Sequence, residues 1–209
     1  MEFKLFTEPQ FHDEAWYVDR EAADHIHQEG GHRMRLLEAL GLIEHIVLYD
    51  DLEVQTVADW GAGNGGLLSE IRTKPWGLKL KTWGYDLCPA NVQWGKEKYG
   101  LQLDLMNVVT GDPKRGEIVV LTEFLEHLVD PHRIVNQLLE APPLGECRWV
   151  VASSPGFEDP NNHYEYHLFA WTVDSFARMF ERAGWIVKRH YHYHFCGTQF
   201  LVAMNPELL

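Results

Sequence analysis

Apolar positions in the first fifty residues recur at helical spacing, and from residue 54 the rhythm changes to short apolar runs divided by helical stretches. Residues 15–27 are punctuated by Trp16, Tyr17 and Ile26, and Gly30-Gly31 is expected to break that helix. Residues 32–48 carry Met34, Leu37, Leu40, Ile43 and Val47 as an amphipathic stripe, with Gly41 inside it as a point of division. Strands are then expected at 56–59, 80–86, 102–108, 117–122 and 148–154, the last ended by Pro155-Gly156. Helices are expected between them at 66–73, 90–99 and 131–140. The tail reads as a helix over 173–183 stopped by Gly184, then strands at 185–195 and 198–204.

Alternating strands and helices imply a parallel sheet covered on both faces. The closing hairpin would add an antiparallel strand, as such sheets often allow. The expectation is an α/β fold with a doubly wound seven-stranded sheet, mostly parallel with a C-terminal antiparallel strand. Residues 1–50 form an N-terminal helical cap and 51–209 the main domain.

The chain has 209 residues with a formal net charge of −13, against 45% hydrophobic and 23% charged residues. That balance disfavours broad affinity for nucleic acid or an anionic membrane, both of which need an excess of Lys and Arg. Cys88, Cys147 and Cys196 are widely spaced and form no C-x-x-C pair, so free thiols are expected rather than a zinc ribbon. Residues 1–9 lack an apolar signal core, and no apolar run approaches membrane-spanning length. A cytoplasmic protein is expected.

The first strand ends in Asp59-Trp60-Gly61-Ala62-Gly63-Asn64-Gly65 and leads straight into a helix. Glycines at such a turn let backbone N–H groups approach a ligand closely. The spacing is not the dinucleotide G-x-G-x-x-G. An acid two residues before the first glycine would repel a pyrophosphate and suits a ligand bearing an ammonium group. The second strand also ends in an acid, Tyr85-Asp86-Leu87, with Asp86 21 residues beyond Gly65.

These segments resemble the first and second motifs of the class I S-adenosylmethionine (SAM)-dependent methyltransferases, which have a Rossmann-like fold. The resemblance covers residues 54–204. It implies that Asp59, Gly61, Ala62, Gly63, Asn64 and Gly65 hold the methionine portion of SAM and that Asp86, with Leu87, binds the ribose. It places Asn107 and Val108 beside the adenine, with Asn where the family often has Asp.

After the fourth strand comes Glu123-Phe124-Leu125-Glu126-His127-Leu128-Val129-Asp130-Pro131. Small methyltransferases of this class carry a similar stretch at the strand end nearest the methyl group, so Glu123, which also borders the cofactor, and His127 are candidates for active-site duty. Ser154-Pro155-Gly156 and His167-Leu168-Phe169-Ala170-Trp171-Thr172 add a partial resemblance to the Hen1-type RNA 2′-O-methyltransferases. That resemblance implies a divalent metal, Mg or Mn, on Glu123, Glu126, His127 and His167. A hydroxyl is a poor nucleophile at neutral pH and needs a metal or a base. Without metal, His127 or His167 could serve as that base.

His190, His192 and His194 alternate with Tyr191, Tyr193 and Phe195, which reads as a half-exposed strand with an aromatic core face rather than a metal cluster. Trp16, Tyr17 and His32 are candidate acceptor contacts from the cap. The expected reaction is methyl transfer from SAM to a small-molecule acceptor. An RNA or nucleotide acceptor is the metal-dependent alternative, disfavoured by the net charge, and a ligand-binding protein without catalysis is the other. The Asn-Pro-Pro-Tyr-type signature of DNA amino methylation is absent where Thr122-Glu123-Phe124-Leu125 stands.

Overall fold

All seven expected strands form, and they assemble into one sheet because their central members are apolar on both faces. In the computed structural model, which describes residues 2–4, 30–140, 147–164 and 166–208, the strands are β1 (Glu2–Lys4), β2 (Thr56–Trp60), β3 (Lys81–Asp86), β4 (Leu103–Leu105), β5 (Ile118–Thr122), β6 (Trp149–Pro155), β7 (Phe169–Trp171), β8 (Ile186–Tyr193) and β9 (Thr198–Met204). The helices are α1 (Gly30–His45), α2 (Gly66–Thr73), α3 (Pro89–Tyr99), α4 (Pro131–Leu139) and α5 (Val173–Ala183).

The main sheet has the order β4-β3-β2-β5-β6-β9-β8. Strands β2 to β6 pair in parallel, while β9 runs antiparallel between β6 and β8. Side chains along each strand alternate between two cores. Val57, Val120, Val151 and Val202 pack on the side that holds α1 and α2. Ala58, Leu121, Val150 and Leu201 face α4 and α5, where Phe176 and Phe180 are fully buried.

One expectation about the cap changes: α1, described from Gly30 onward, runs through Gly41 without division. Leu36, Leu40 and Ile43 bury the helix against the sheet, which outweighs the modest propensity cost of about 1 kcal/mol for an internal glycine. A turn of π-helix, Ile46–Asp50, follows. The helix expected over 15–27, with Trp16 and Tyr17, lies outside the described residues.

A second, two-stranded sheet was not legible from periodicity. Strand β1 pairs antiparallel with β7, Glu2 opposite Trp171. The Glu2 carboxylate accepts from Trp171 Nε1 at 3.0 Å and pairs with His132 Nε2 at 2.9 Å.

On β8, Tyr191 stacks near Phe200 and donates to Glu38, while His190 faces Gln199 and the Phe176 side. Tyr191 and Tyr193 thus pack against one core, as the alternation implied, whereas Phe195, past the end of β8, is exposed and His190 reaches the core on the other face. Cys88 and Cys147 are buried free thiols and Cys196 is half-buried. Burial pushes the Cys147 thiol up to about 12, which leaves it unreactive. No helix among the described residues is long and apolar enough to cross a membrane.

Helix α3 lies against the Gly-rich turn through Gly95. A Cβ there would stand 2.4 Å from both the Asn64 carbonyl oxygen and Leu103 Cδ1. Gly95→Ala is expected to force helix and turn apart, costing about 2 kcal/mol and lowering the melting temperature by about 4–8 °C in a domain of this size. Thermal unfolding followed by circular dichroism reads that shift.

Candidate functional site

The carboxyl ends of β2, β3, β5 and β6 open into one cleft of about 1030 Å³. It lies where the strand order reverses between β2 and β5, the place at which open α/β sheets bind ligands.

The turn after β2 is shaped by backbone angles. Gly61, Gly63 and Gly65 have φ of +80°, +55° and +78°, a region costly for other residues. Gly61 N and Ala62 N both donate to the Tyr85 carbonyl at 2.9 Å. Gly63 N donates to Asp86 Oδ2 at 2.8 Å. Asp86 Oδ1 accepts from Cys88 N at 2.9 Å and Asn91 Nδ2 at 3.4 Å. The two acidic strand ends are thereby tied to one turn, by the parallel register that sets Asp59 opposite Gly84.

Asp59 is 2% exposed, and its Oδ1 has no hydrogen-bond partner. Burial, and then the nearby Asp86, push its carboxyl up to about 7. A buried carboxylate without a partner is costly; here it faces a cleft that can receive a cationic group.

Leu87, Asn107 and Val108 line the neighbouring wall. Asn107 Oδ1 accepts from Val109 N at 3.0 Å, which fixes the loop after β4.

At the other end stands Glu123, the only described non-glycine residue with positive φ, +50°. Its N–H is held by Ser153, whose Oγ donates to Glu123 Oε1 at 2.9 Å, and Arg35 of α1 donates to Oε2. Strained backbone of this kind persists where surroundings over-determine it, commonly at functional sites.

His127 and His167 meet edge to face with ring centroids 4.7 Å apart. Nδ1 of His127 lies 3.1 Å from the Tyr166 carbonyl, and Nδ1 of His167 lies 2.6 Å from Glu158 Oε2. Each acceptor fixes a proton on Nδ1 and so places a lone pair on Nε2 of the neutral ring. Glu126 is fully buried with neither carboxylate oxygen partnered. Burial, followed by Glu123 and Glu158, holds its carboxyl well above the usual carboxylate range. One oxygen of Glu126 and one ring nitrogen of each of His127 and His167 lie within 4.8 Å of one another.

The cleft therefore gathers most residues expected from the sequence. Gly65 and Glu126 do not line it: Gly65 is the N-cap of α2, and Glu126 is fully buried. The carboxylate of Glu123 stands outside the group of three ligating side chains and is engaged by Arg35 and Ser153. His32 lines the cleft and contacts Arg35. Arg35 and Glu158 were not singled out from the sequence. No local pattern marks them; their roles come from contacts across 88 and nine residues of chain.

Comparison with solved structures gives the class. The N-methyltransferase NodS from Bradyrhizobium japonicum WM9 superposes with a TM-score of 0.67 at 11% identity, covering 95% of this chain and 100% of that one. Magnesium protoporphyrin IX methyltransferase from Synechocystis PCC 6803, solved with bound SAM, gives 0.66 at 14%, covering 92% and 97%. The methyltransferase domain of a bacterial protein, CtHen1, gives 0.63 at 17%, covering 84% and 98%. The fold is that of the class I SAM-dependent methyltransferases. No relative by sequence is found among curated proteins. Residues 17–204 match the family described as "Methyltransferase domain", and the chain belongs to that family.

The Asp59 environment predicts a pH dependence. In the unfolded chain this carboxyl ionises near its ordinary value of 3.8, whereas the folded protein keeps the proton up to about 7. Between these values the folded state binds more protons, so stability falls as pH rises, by up to about 4 kcal/mol. Asp59→Asn is expected to flatten this slope and to be more stable than the parent above about pH 7. Urea unfolding at several pH values measures both.

Proposed function

We propose that this methyltransferase transfers the SAM methyl group to a small-molecule acceptor, with Asp59 to Gly65, Asp86, Leu87, Asn107 and Val108 holding SAM and the acceptor at the His127–His167 end. The observation that carries the reading is Asp59: a buried, unpartnered carboxylate in the turn, suited to the ammonium of an amino-acid tail. The donor set fits SAM in its other parts as well. Asp86 offers carboxylate oxygens for ribose hydroxyls, and the Val108 wall is apolar and buried. The methyl group on a sulfonium is what SAM supplies.

The chain's own work is alignment and proton handling. Glu123, fixed by Arg35 and Ser153, borders the passage between the two ends. His167, oriented by Glu158, presents Nε2 as a general base for an acceptor N–H or O–H. The net charge of −13 supports a small acceptor over RNA.

A second reading has its own observation, the grouping of Glu126, His127 and His167 within 4.8 Å. Those three side chains would hold Mg²⁺ or Mn²⁺, with the metal activating a ribose hydroxyl as in the Hen1 type. Glu123 would have to leave Arg35 to join them.

Thermal shift separates these readings, since a bound ligand stabilises by mass action. SAM and S-adenosylhomocysteine should raise the melting temperature, NAD should not, and Asp86→Asn should weaken SAM binding about tenfold or more. Stabilisation by NAD but not by SAM would overturn the donor assignment. Saturable Mn²⁺ binding that is lost in Glu126→Gln would favour the metal reading. His167→Asn should lower S-adenosylhomocysteine formation from a metabolite mixture by about 10²–10⁴-fold with SAM affinity unchanged.

A further inference from the structure

One carboxylate ties together two side chains on the wall of the cleft. Glu158 Oε1 accepts from Tyr164 N at 2.9 Å, and its Oε2 pairs with Nδ1 of His167 at 2.6 Å. The His167 backbone N–H in turn donates to the Tyr164 carbonyl at 3.0 Å. The Tyr166 carbonyl lies 3.1 Å from Nδ1 of His127. The rings of Tyr164 and Tyr166 meet at 62° with centroids 5.1 Å apart, and the Tyr164 ring stands 5.2 Å from that of His167. Tyr164 is held beside the imidazole by these contacts, yet it is 48% exposed and lines the cleft. A large ring fixed in place without being buried is suited to the face of a ligand.

The charged groups at this end are engaged with one another. Both oxygens of Glu158 are taken up by Tyr164 N and His167. Glu123 pairs with Arg35 and Ser153, and Arg35 also contacts His32. Glu126 is fully buried and does not line the cleft. Asp130 and Arg133 line it from the start of α4, both exposed to solvent and of opposite charge. The surface left to an acceptor beside His167 is the Tyr164 ring, with Leu128 and Val129 adding apolar wall after His127. A charged acceptor would lose water there without gaining an unpaired counter-ion. A neutral ring would lose little and gain a ring contact.

We propose that the acceptor is a neutral planar ring bearing an O–H or N–H, laid against Tyr164 with that group at Nε2 of His167. The inference rests on the proposed acceptor end at His127 and His167 and names its substrate class. Planarity is selected by the Tyr164 ring, because two aromatic rings gain an attraction beyond the area they bury. Neutrality follows from the paired charges around it. With Nδ1 held by Glu158, the lone pair on Nε2 of His167 is left to accept from the O–H or N–H of the acceptor.

The test uses full-length protein saturated with S-adenosylhomocysteine and four matched probes: 2-naphthol, its saturated analogue decahydro-2-naphthol, 2-naphthoate and the cation of 2-naphthylmethylamine. Isothermal titration at neutral pH should give 2-naphthol a Kd about threefold or more below that of the saturated alcohol. Both charged probes should bind more weakly than 2-naphthol. Tyr164→Leu should bring the two alcohols to within about twofold by weakening 2-naphthol alone, and Tyr164→Phe should keep the parent ratio. Equal affinity for the two alcohols, an unchanged ratio in Tyr164→Leu, or tighter binding of either charged probe overturns the inference. So does displacement of S-adenosylhomocysteine by 2-naphthol, because the ring would then lie at the donor end. Failure of S-adenosylhomocysteine itself to bind would instead overturn the methyl-donor assignment. The ratio of the two alcohols, read without it, would still decide the inference.

Discussion

A carboxylate that the protein does not neutralise sits at the end of the central strand, and the site is organised around it. Asp59 emerges from β2 between β3 and β5, buried and without a partner on Oδ1. It is 2% exposed and lies on the wall of the cleft. Its energetic cost is an internal feature of the ligand-free fold, relieved when a positively charged group enters the cleft. The parallel register of β2 and β3 is what permits the arrangement. It brings Asp86 to the Gly63 amide, so the acid that would bind ribose also holds the turn in shape.

The acceptor end follows a different logic. Glu123 is held in a left-handed conformation by Ser153 from β6 and by Arg35 from α1. Two elements far apart in sequence fix one side chain at the end of β5. Helix α1 is thus part of the cleft wall as well as a cover for the sheet. Its burial through Leu36, Leu40 and Ile43 anchors the guanidinium that neutralises Glu123.

The structural neighbours share the scaffold while their names record different acceptors, an N-methylated substrate for NodS and magnesium protoporphyrin IX for the Synechocystis enzyme. Fold alone does not select among such acceptors. In this chain the wall of the cleft around His127 and His167 comes from the short segment after β5 and the loop between β6 and β7, which supplies Glu158, Tyr164 and His167. Loops on a rigid sheet are where such chemistry varies at little cost to the core.

The chain's local patterns determined much. Helices over 66–73 and 173–183 and the strand over 198–204 stand where periodicity and glycine stops place them. The turn from Asp59 to Gly65 was equally legible, since positive φ at fixed spacing is a property of the glycines themselves. Only the tertiary structure decided the rest. Strand β1 has no pattern of its own and exists through pairing with β7. Helix α1 passes through Gly41 because Leu36, Leu40 and Ile43 find a core to enter. The engagement of Glu123 by Arg35, the orientation of His167 by Glu158 and the isolation of Glu126 depend on which groups fold into contact and which lose water. Desolvation and ion pairing act between chain segments that sequence spacing does not relate. The Gly-rich turn and the two acidic strand ends were therefore readable in advance, whereas the electrostatics around His127 and His167 emerged only with the fold.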